Sequence, residues 1–240
     1  MNEIRSYLAD RRKASTAGLE RGQVVRLLRR VSPHSLRQRG KLVVTQAWMP
    51  ASRLKARRIA GEGRDLRLHL ASGANRLPGW VNIDIYGMNP DLQWDLRHGI
   101  PFPDDSAQAV FLEHFLEHLT LADALAVLDE CRRALRPGGT IRVGVPDFGR
   151  YLESYAGDRS FIEQLRPGRP TSLLAVAEVA LAHGHRSVWD AATLTLALEE
   201  AGFVGVQTRK FGESAIDPPP DSPLREPETL YAEGEKPGVA

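Results

Sequence analysis

The chain has 240 residues, 42% of them hydrophobic and 26% charged, which suits one full-sized globular core. Its single cysteine, Cys131, excludes an intrachain disulfide and fits a reducing compartment; with no bilayer-length apolar run and no basic-then-apolar leader, the cytoplasm is the expected location. The net charge of +2 is unevenly distributed: residues 1–64 hold 16 of the 32 basic side chains and 4 of the 30 acidic ones, so the remainder is acidic.

Residues 1–40 read as two helical pieces. Leu19, Val24, Val25, Leu27, Leu28 and Val31 are spaced among arginines, and Ser32-Pro33 ends the run. The apolar face is short, so a basic helical extension over residues 1–64 is expected to pack on the domain; a membrane-interface helix is the alternative. Arg53–Arg58 reads as a solvated face, and residues 41–64 have no clear pattern. Gly61-Glu62-Gly63 opens the main domain, residues 65–240. Strands are expected at Leu66–Leu70, Val81–Tyr86, Leu92–Leu96 and Ala109–Leu112. Thr120 caps a helix over Leu121, Leu125, Leu128 and Leu135, which Arg136-Pro137-Gly138-Gly139 stops and turns. Thr140–Val145 is a fifth strand. Residues 147–189 break the rhythm and contain a helix at Ser172–Leu181. An insertion after a strand's C-terminal end lies where open α/β sheets bind ligands, so it reads as a substrate lid. A helix from Asp190 to Ala201, a strand at Phe203–Phe211 and a last strand at Thr229–Glu235 complete the chain. Strands alternating with helices imply an α/β fold with a mainly parallel sheet and right-handed crossovers.

Leu68-His69-Leu70-Ala71-Ser72-Gly73-Ala74-Asn75, followed by Val81-Asn82-Ile83-Asp84-Ile85, is a strand, a tight small-residue loop and a second strand ending at an acid. Such a pair lets backbone approach a nucleoside while a carboxylate grips ribose hydroxyls. Gly73 and Asp84 are 11 residues apart, against the roughly 20 of nicotinamide-binding folds. The connecting helix must therefore be cut short, with Leu77-Pro78-Gly79-Trp80 as a compact turn.

With Pro101–Asp104, Leu112–His118, Leu135–Gly139 and Glu199–Phe203 following in order, the layout over residues 65–236 resembles the class I S-adenosylmethionine-dependent methyltransferases. More narrowly it is similar to their bacterial small-molecule and glycan branch. The resemblance implies a Rossmann-like, doubly wound, seven-stranded sheet with an antiparallel last strand. It also implies that S-adenosyl-L-methionine is held by Ala71, Ser72, Gly73, Ala74, Asn75, Asp84, Asp95, Leu96 and Glu113, with Asp84 on the ribose and Asp95-Leu96 at the adenine. Ala71 replaces the family's first loop glycine and suits the loop only if its φ is negative.

The implied reaction is methyl transfer to a hydroxyl oxygen of a small molecule or glycan. His114 is the first candidate base, His185 in the lid the second and Glu117 the third. If the segment is helical, His114, Glu117 and His118 share one face and form a candidate divalent metal site, to which His183 or His185 could add. The alternative is that His114 shapes the pocket while Glu117 and His118 fix the helix. Two rival functions stand beside this one. A decayed, non-catalytic scaffold would follow if Ala71 spoils the loop. An RNA ribose methyltransferase would use the basic arm as a clamp on nucleic acid. Base methylation is disfavoured, because Glu113-His114-Phe115-Leu116 stands where an Asn/Asp-Pro-Pro-aromatic quartet would be needed. Peripheral membrane contact through the arm is compatible with the charge pattern.

Overall fold

The computed structural model describes residues 4, 6, 7, 34–62, 65–85 and 90–238. The two helical pieces expected over residues 1–40 lie largely outside these. The elements are α1 (His34–Ala60), β1 (Leu66–Leu70), β2 (Val81–Asp84), β3 (Leu92–Gln93), β4 (Ala107–Glu113), α2 (Leu121–Ala134), β5 (Leu135–Pro146), α3 (Phe148–Ala156), α4 (Ser160–Leu165), α5 (Ser172–Leu181), α6 (Ala191–Glu200), β6 (Val204–Arg209) and β7 (Thr229–Glu235). Short 3₁₀ turns cover Leu96–His98, Leu116–His118, Ala182–Gly184 and Glu226–Glu228.

The seven strands form one sheet in the order β3-β2-β1-β4-β5-β7-β6. The first five are parallel, and β7 runs antiparallel between β5 and β6. Strand order reverses between β1 and β4, so a crevice opens at their C-terminal ends.

Alternation along the strands sorts the two faces. Leu66, Leu68, Leu70, Val110, Leu112, Ile141 and Val143 join the main core with Ala124, Leu128 and Cys131 of α2 and Leu194 and Leu198 of α6. The other face holds Ala109, Phe111 and Tyr231, covered by Trp80 and Ile216 from irregular connectors. There Arg142, fully buried, pairs with Asp221 at 2.5 Å and Glu233 at 2.8 Å. It also donates to the carbonyls of Lys210 and Glu213, tying the β6–β7 loop to the sheet.

Helix α1 closes the β3 edge. Ala56 and Ile59 enter the main core, and three side chains bond to edge backbone or its neighbours: Thr45 Oγ1 to the Ile85 carbonyl, Ser52 Oγ to that of Gln93 and Lys55 Nζ to that of Asp91. An edge strand presents unpaired peptide groups, and a covering helix is one way to block them.

Two expectations change. The strand expected at Leu92–Leu96 is only Leu92–Gln93, since the chain turns into the 3₁₀ helix capped by the Asp95 carboxylate. Arg136–Gly139 does not simply turn. Leu135 already pairs with Ala107, and Thr140 pairs with Ala109, so the Pro-Gly-Gly stretch bulges out of β5. The Gly138 N–H then bonds to the Lys236 carbonyl at 2.9 Å.

Candidate active site

Three chain segments leave the sheet at the crevice. After β1, Ala71 turns with φ +52° and Gly73 with φ +55°. The negative φ expected of Ala71 is not what the loop adopts, so an alanine holds a left-handed conformation that glycine would take without strain. The Gly73 N–H donates to Asp84 Oδ2 at 2.9 Å, closing the 11-residue spacing between loop and acid. No helix lies between them. Asn82 holds the connector instead: its amide oxygen accepts from the Leu77 N–H, and its amide nitrogen donates to the carbonyls of Leu77 and Trp80 and to Asp91.

After β4 the chain turns at His114, whose φ is also +52°. Non-glycine residues held in this region cost free energy and concentrate at functional sites. A cavity of about 640 Å³ lies between these turns, lined by Ala71, Asp84, Trp94, Asp95, Leu96 and His114, with Asp123 and Arg186 also contributing. This is within the size range of small-molecule and cofactor pockets. Asp95 reaches it already engaged: Arg97 Nε and Nη2 donate to Oδ1 and Oδ2 at 2.9 and 2.6 Å, and these bonds hold its carboxyl below the usual range against the opposing effect of burial.

The remaining loop residues are not among those that line the cavity. Ser72 is buried with its Oγ unpartnered, and the Asn75 N–H bonds to the Ser72 carbonyl at 2.9 Å. Gly73, Ala74 and Asn75 are exposed. Glu113 is separated from the others. It shares strand parity with Ala109 and Phe111, so its carboxylate faces the opposite side and accepts from Tyr231 Oη at 2.6 Å and the Ser222 N–H at 3.2 Å.

A second hollow of about 420 Å³ continues under the insertion and shares His114 and His118 with the first. Its walls are polar: Glu117, Arg166, Glu178, His185, Arg225 and Glu228. The insertion forms three helices around its own small core of Tyr151, Phe161, Ile162, Ala175, Val176 and Val179. Tyr151 Oη and Arg166 Nη2 both donate to Glu228, which fastens the insertion to the chain before β7. The backbone N–H groups of Arg186 and Ser187 donate to the Glu117 carbonyl at 2.7 and 3.2 Å, fastening its other end to the loop after β4.

The protonation states follow from local bonds. The Thr229 hydroxyl donates to the Arg225 carbonyl, so it accepts from His114 Nε2, 2.8 Å away. The lone pair of His114 is then on Nδ1, 3.5 Å from Glu117 Oε1. Burial, with Arg225 nearby, lowers the His114 pKa to about 3, so the ring is neutral at physiological pH. Burial raises that of Glu117 to about 8. The His185 Nδ1–H donates to the Val179 carbonyl at 2.6 Å, leaving Nε2 as its lone-pair nitrogen.

The helical face expected to join His114, Glu117 and His118 does not form. His114 precedes a single 3₁₀ turn, Leu116–His118, and its ring is turned toward Thr229. Among the described residues, the metal-capable group that converges is Glu117, His118 and His185. Sequence reasoning missed Thr229, Arg225 and Glu228 because they are more than 100 positions from His114 and reach it only through the pairing of β7 with β5. Arg97 was legible in principle, as a cation two positions from Asp95.

Residues 74–143 match the family model of a methyltransferase domain. A protein of Mycolicibacterium smegmatis described as a "probable S-adenosylmethionine-dependent methyltransferase" is 35% identical over 113 residues, 45% of this chain and 35% of that protein. The chain thus spans about a third of that relative's length. Among solved structures, a SAM-dependent methyltransferase from Archaeoglobus fulgidus aligns with a TM-score of 0.46 and 15% identity, over 82% of this chain and 94% of the other. The apo form of the S-adenosylmethionine-dependent methyltransferase SibL aligns with a TM-score of 0.43 and 18% identity, over 80% and 56%. No described helix is long and apolar enough to cross a membrane. Residues 74–143, which carry β2, β3, β4, α2 and the first part of β5 and include cavity residues Asp84, Asp95, Leu96 and His114, are thus similar to a methyltransferase domain.

Proposed function

We propose that the protein transfers the methyl group of S-adenosyl-L-methionine to a hydroxyl oxygen of a small polar molecule or glycan. The observation that carries this reading is the pair of joined hollows. One is bounded by Ala71 and by Asp84, to which the Gly73 N–H donates, and the other by polar residues of the insertion and the chain before β7, and His114 and His118 stand in both walls. When bound, the donor supplies an electrophilic methyl on a sulfonium. In the first hollow Asp84 accepts hydrogen bonds from the ribose, Gly73 keeps the backbone out of the way and Leu96 packs against the base. The Asp95 carboxylate, already held by Arg97, keeps its turn in place and meets the adenine amino group with what acceptor capacity remains. Ala71, Ser72, Ala74 and Asn75 shape the loop, and Glu113 contributes by holding the end of β4 against Tyr231 and Ser222.

The second hollow is polar enough to receive several hydroxyls. His114, neutral with its lone pair on Nδ1, is placed to take the proton of an acceptor hydroxyl as the carbon–oxygen bond forms. His185 and Glu117 position the acceptor. Most of the rate comes from alignment and from excluding water between the two chambers.

The test is titration with S-adenosylhomocysteine by calorimetry. Saturable one-to-one binding is expected in the wild type, weakened by about a hundredfold or more in Asp84→Ala, since charge-assisted bonds to both ribose hydroxyls are lost. Absence of binding in the wild type would leave only the scaffold reading.

A further inference from the structure

We propose that Glu117, His118 and His185 form a binding site for one divalent transition-metal ion between the lid and the loop after β4. Each residue offers a ligand atom, and the three atoms lie within 4.8 Å of one another. Two ligands on a tetrahedral zinc are about 3.3 Å apart at ordinary bond lengths, so side-chain rotations alone would close the set.

Three further observations point the same way. Glu117 is 1% exposed, yet neither of its carboxylate oxygens has a hydrogen-bond partner, and His114 Nδ1 stands 3.5 Å from Oε1, a costly arrangement for a buried acid. The His185 Nδ1–H is committed to the Val179 carbonyl, which fixes the ring and turns Nε2 outward as the free nitrogen. That outer hydrogen bond is the usual companion of a metal-bound imidazole. Finally, the two elements that carry the ligands are already joined, because Arg186 and Ser187, next to His185, donate to the Glu117 carbonyl. The turn before them is tight, with His183 at φ +59° and Gly184 at +81°. Ligand spacing is thus set by backbone before any ion arrives.

Two imidazoles and one carboxylate select a first-row ion such as zinc or cobalt over magnesium or calcium. Three protein ligands leave a coordination position open toward the polar hollow shared with His114, where an acceptor hydroxyl could sit. Only that role for the open position depends on the methyltransferase reading; the ion site itself does not.

The test uses the full chain stripped of metal, titrated with cobalt(II) and followed by visible absorption, with zinc calorimetry in parallel. Expected are one equivalent bound, a visible band of low coordination number and a higher melting temperature. His118→Ala, an exposed position, and His185→Gln should each weaken binding at least about tenfold, and His183→Ala should retain it. Three results would overturn the site: no stoichiometric binding, unchanged affinity in His118→Ala and His185→Gln, or an equal loss in His183→Ala, which would mean chelation by adjacent surface imidazoles. Titration with S-adenosylhomocysteine on the same samples separates the two readings. Donor binding without metal binding sinks this inference alone, and metal binding without donor binding sinks the methyltransferase reading alone.

Discussion

Ala71 and His114 both sit at φ +52°, and both line the cavity where the strand order reverses. A left-handed alanine carries a penalty of about 1 kcal/mol that glycine escapes. Ala71→Gly is therefore expected to raise stability by up to about 1 kcal/mol in urea denaturation without loss of S-adenosylhomocysteine affinity. For His114, the proposed base, loss of the imidazole should matter more to turnover than to donor binding. His114→Ala is expected to lower turnover by about 10²-fold or more while changing donor affinity by only a few-fold, measured by single-turnover kinetics and calorimetry. Glu117 gives a pH signature. Its folded-state pKa of about 8 is above the ordinary 4.5, so the folded protein keeps a proton that the unfolded chain releases. Stability then falls as pH rises from 4.5 to 8. His69, His114, His118 and His185 slope the other way, because burial lowers all four, and that contribution is complete only above the ordinary imidazole value of 6.5. In metal-free protein, Glu117→Gln lacks this downward slope, so its stability relative to the wild type should rise as pH rises from about 5 to about 8. Equal slopes in the two proteins would refute a buried, protonated Glu117.

At the scale of elements, α1 and the β1–β2 connector show where the pattern of residues was readable. The connector's brevity followed from the 11-residue spacing, and the structure bears it out with no helix there. The part played by Asn82, which braces that connector from within β2, was not readable, because its partners are set by the fold. Helix α1 gave no clear signal over residues 41–64. Part of its attachment is polar, through Thr45, Ser52 and Lys55 to carbonyls around the sheet edge, so no regular apolar stripe marks it. Deleting residues 1–60 should bare that edge. The expected outcome is a chain that aggregates or elutes as oligomers on size exclusion, whereas a well-behaved monomer would show that α1 is dispensable. The bulge at Arg136–Gly139 has the same origin: Pro-Gly-Gly reads locally as a turn, and pairing with Ala107 and Lys236 pulls it into the sheet.

At the scale of the whole molecule, the sheet face that holds Phe111 and Tyr231 has ionic and hydrogen-bonded anchoring. Arg142 on β5 reaches Glu233 on β7, and Asp221, Glu213 and Lys210 on the long β6–β7 loop; Ser214 Oγ joins Glu233 as well. That loop supplies Ser222 to Glu113 and leads on to Arg225, Glu228 and Thr229 beside His114. Arg142→Ala would leave two carboxylates buried without a counter-charge, a loss of about 3–5 kcal/mol by thermal or chemical denaturation. If the variant can be isolated, donor binding should survive better than turnover, because the loop walls the lid hollow rather than the loop around Gly73. The order of the seven strands along the chain, the extent of β1, α5 and β7, and the loop-plus-acid pair at Gly73 and Asp84 were all determined by local sequence, since periodicity, caps and short spacings act within a few residues. Only the tertiary structure decided which way Glu113 faces, which proton His114 carries and that Glu117 and His118 meet His185. Those facts depend on strand parity, on β7 inserting antiparallel beside β5 and on the helical insertion folding back, and these bring together groups that the chain keeps far apart.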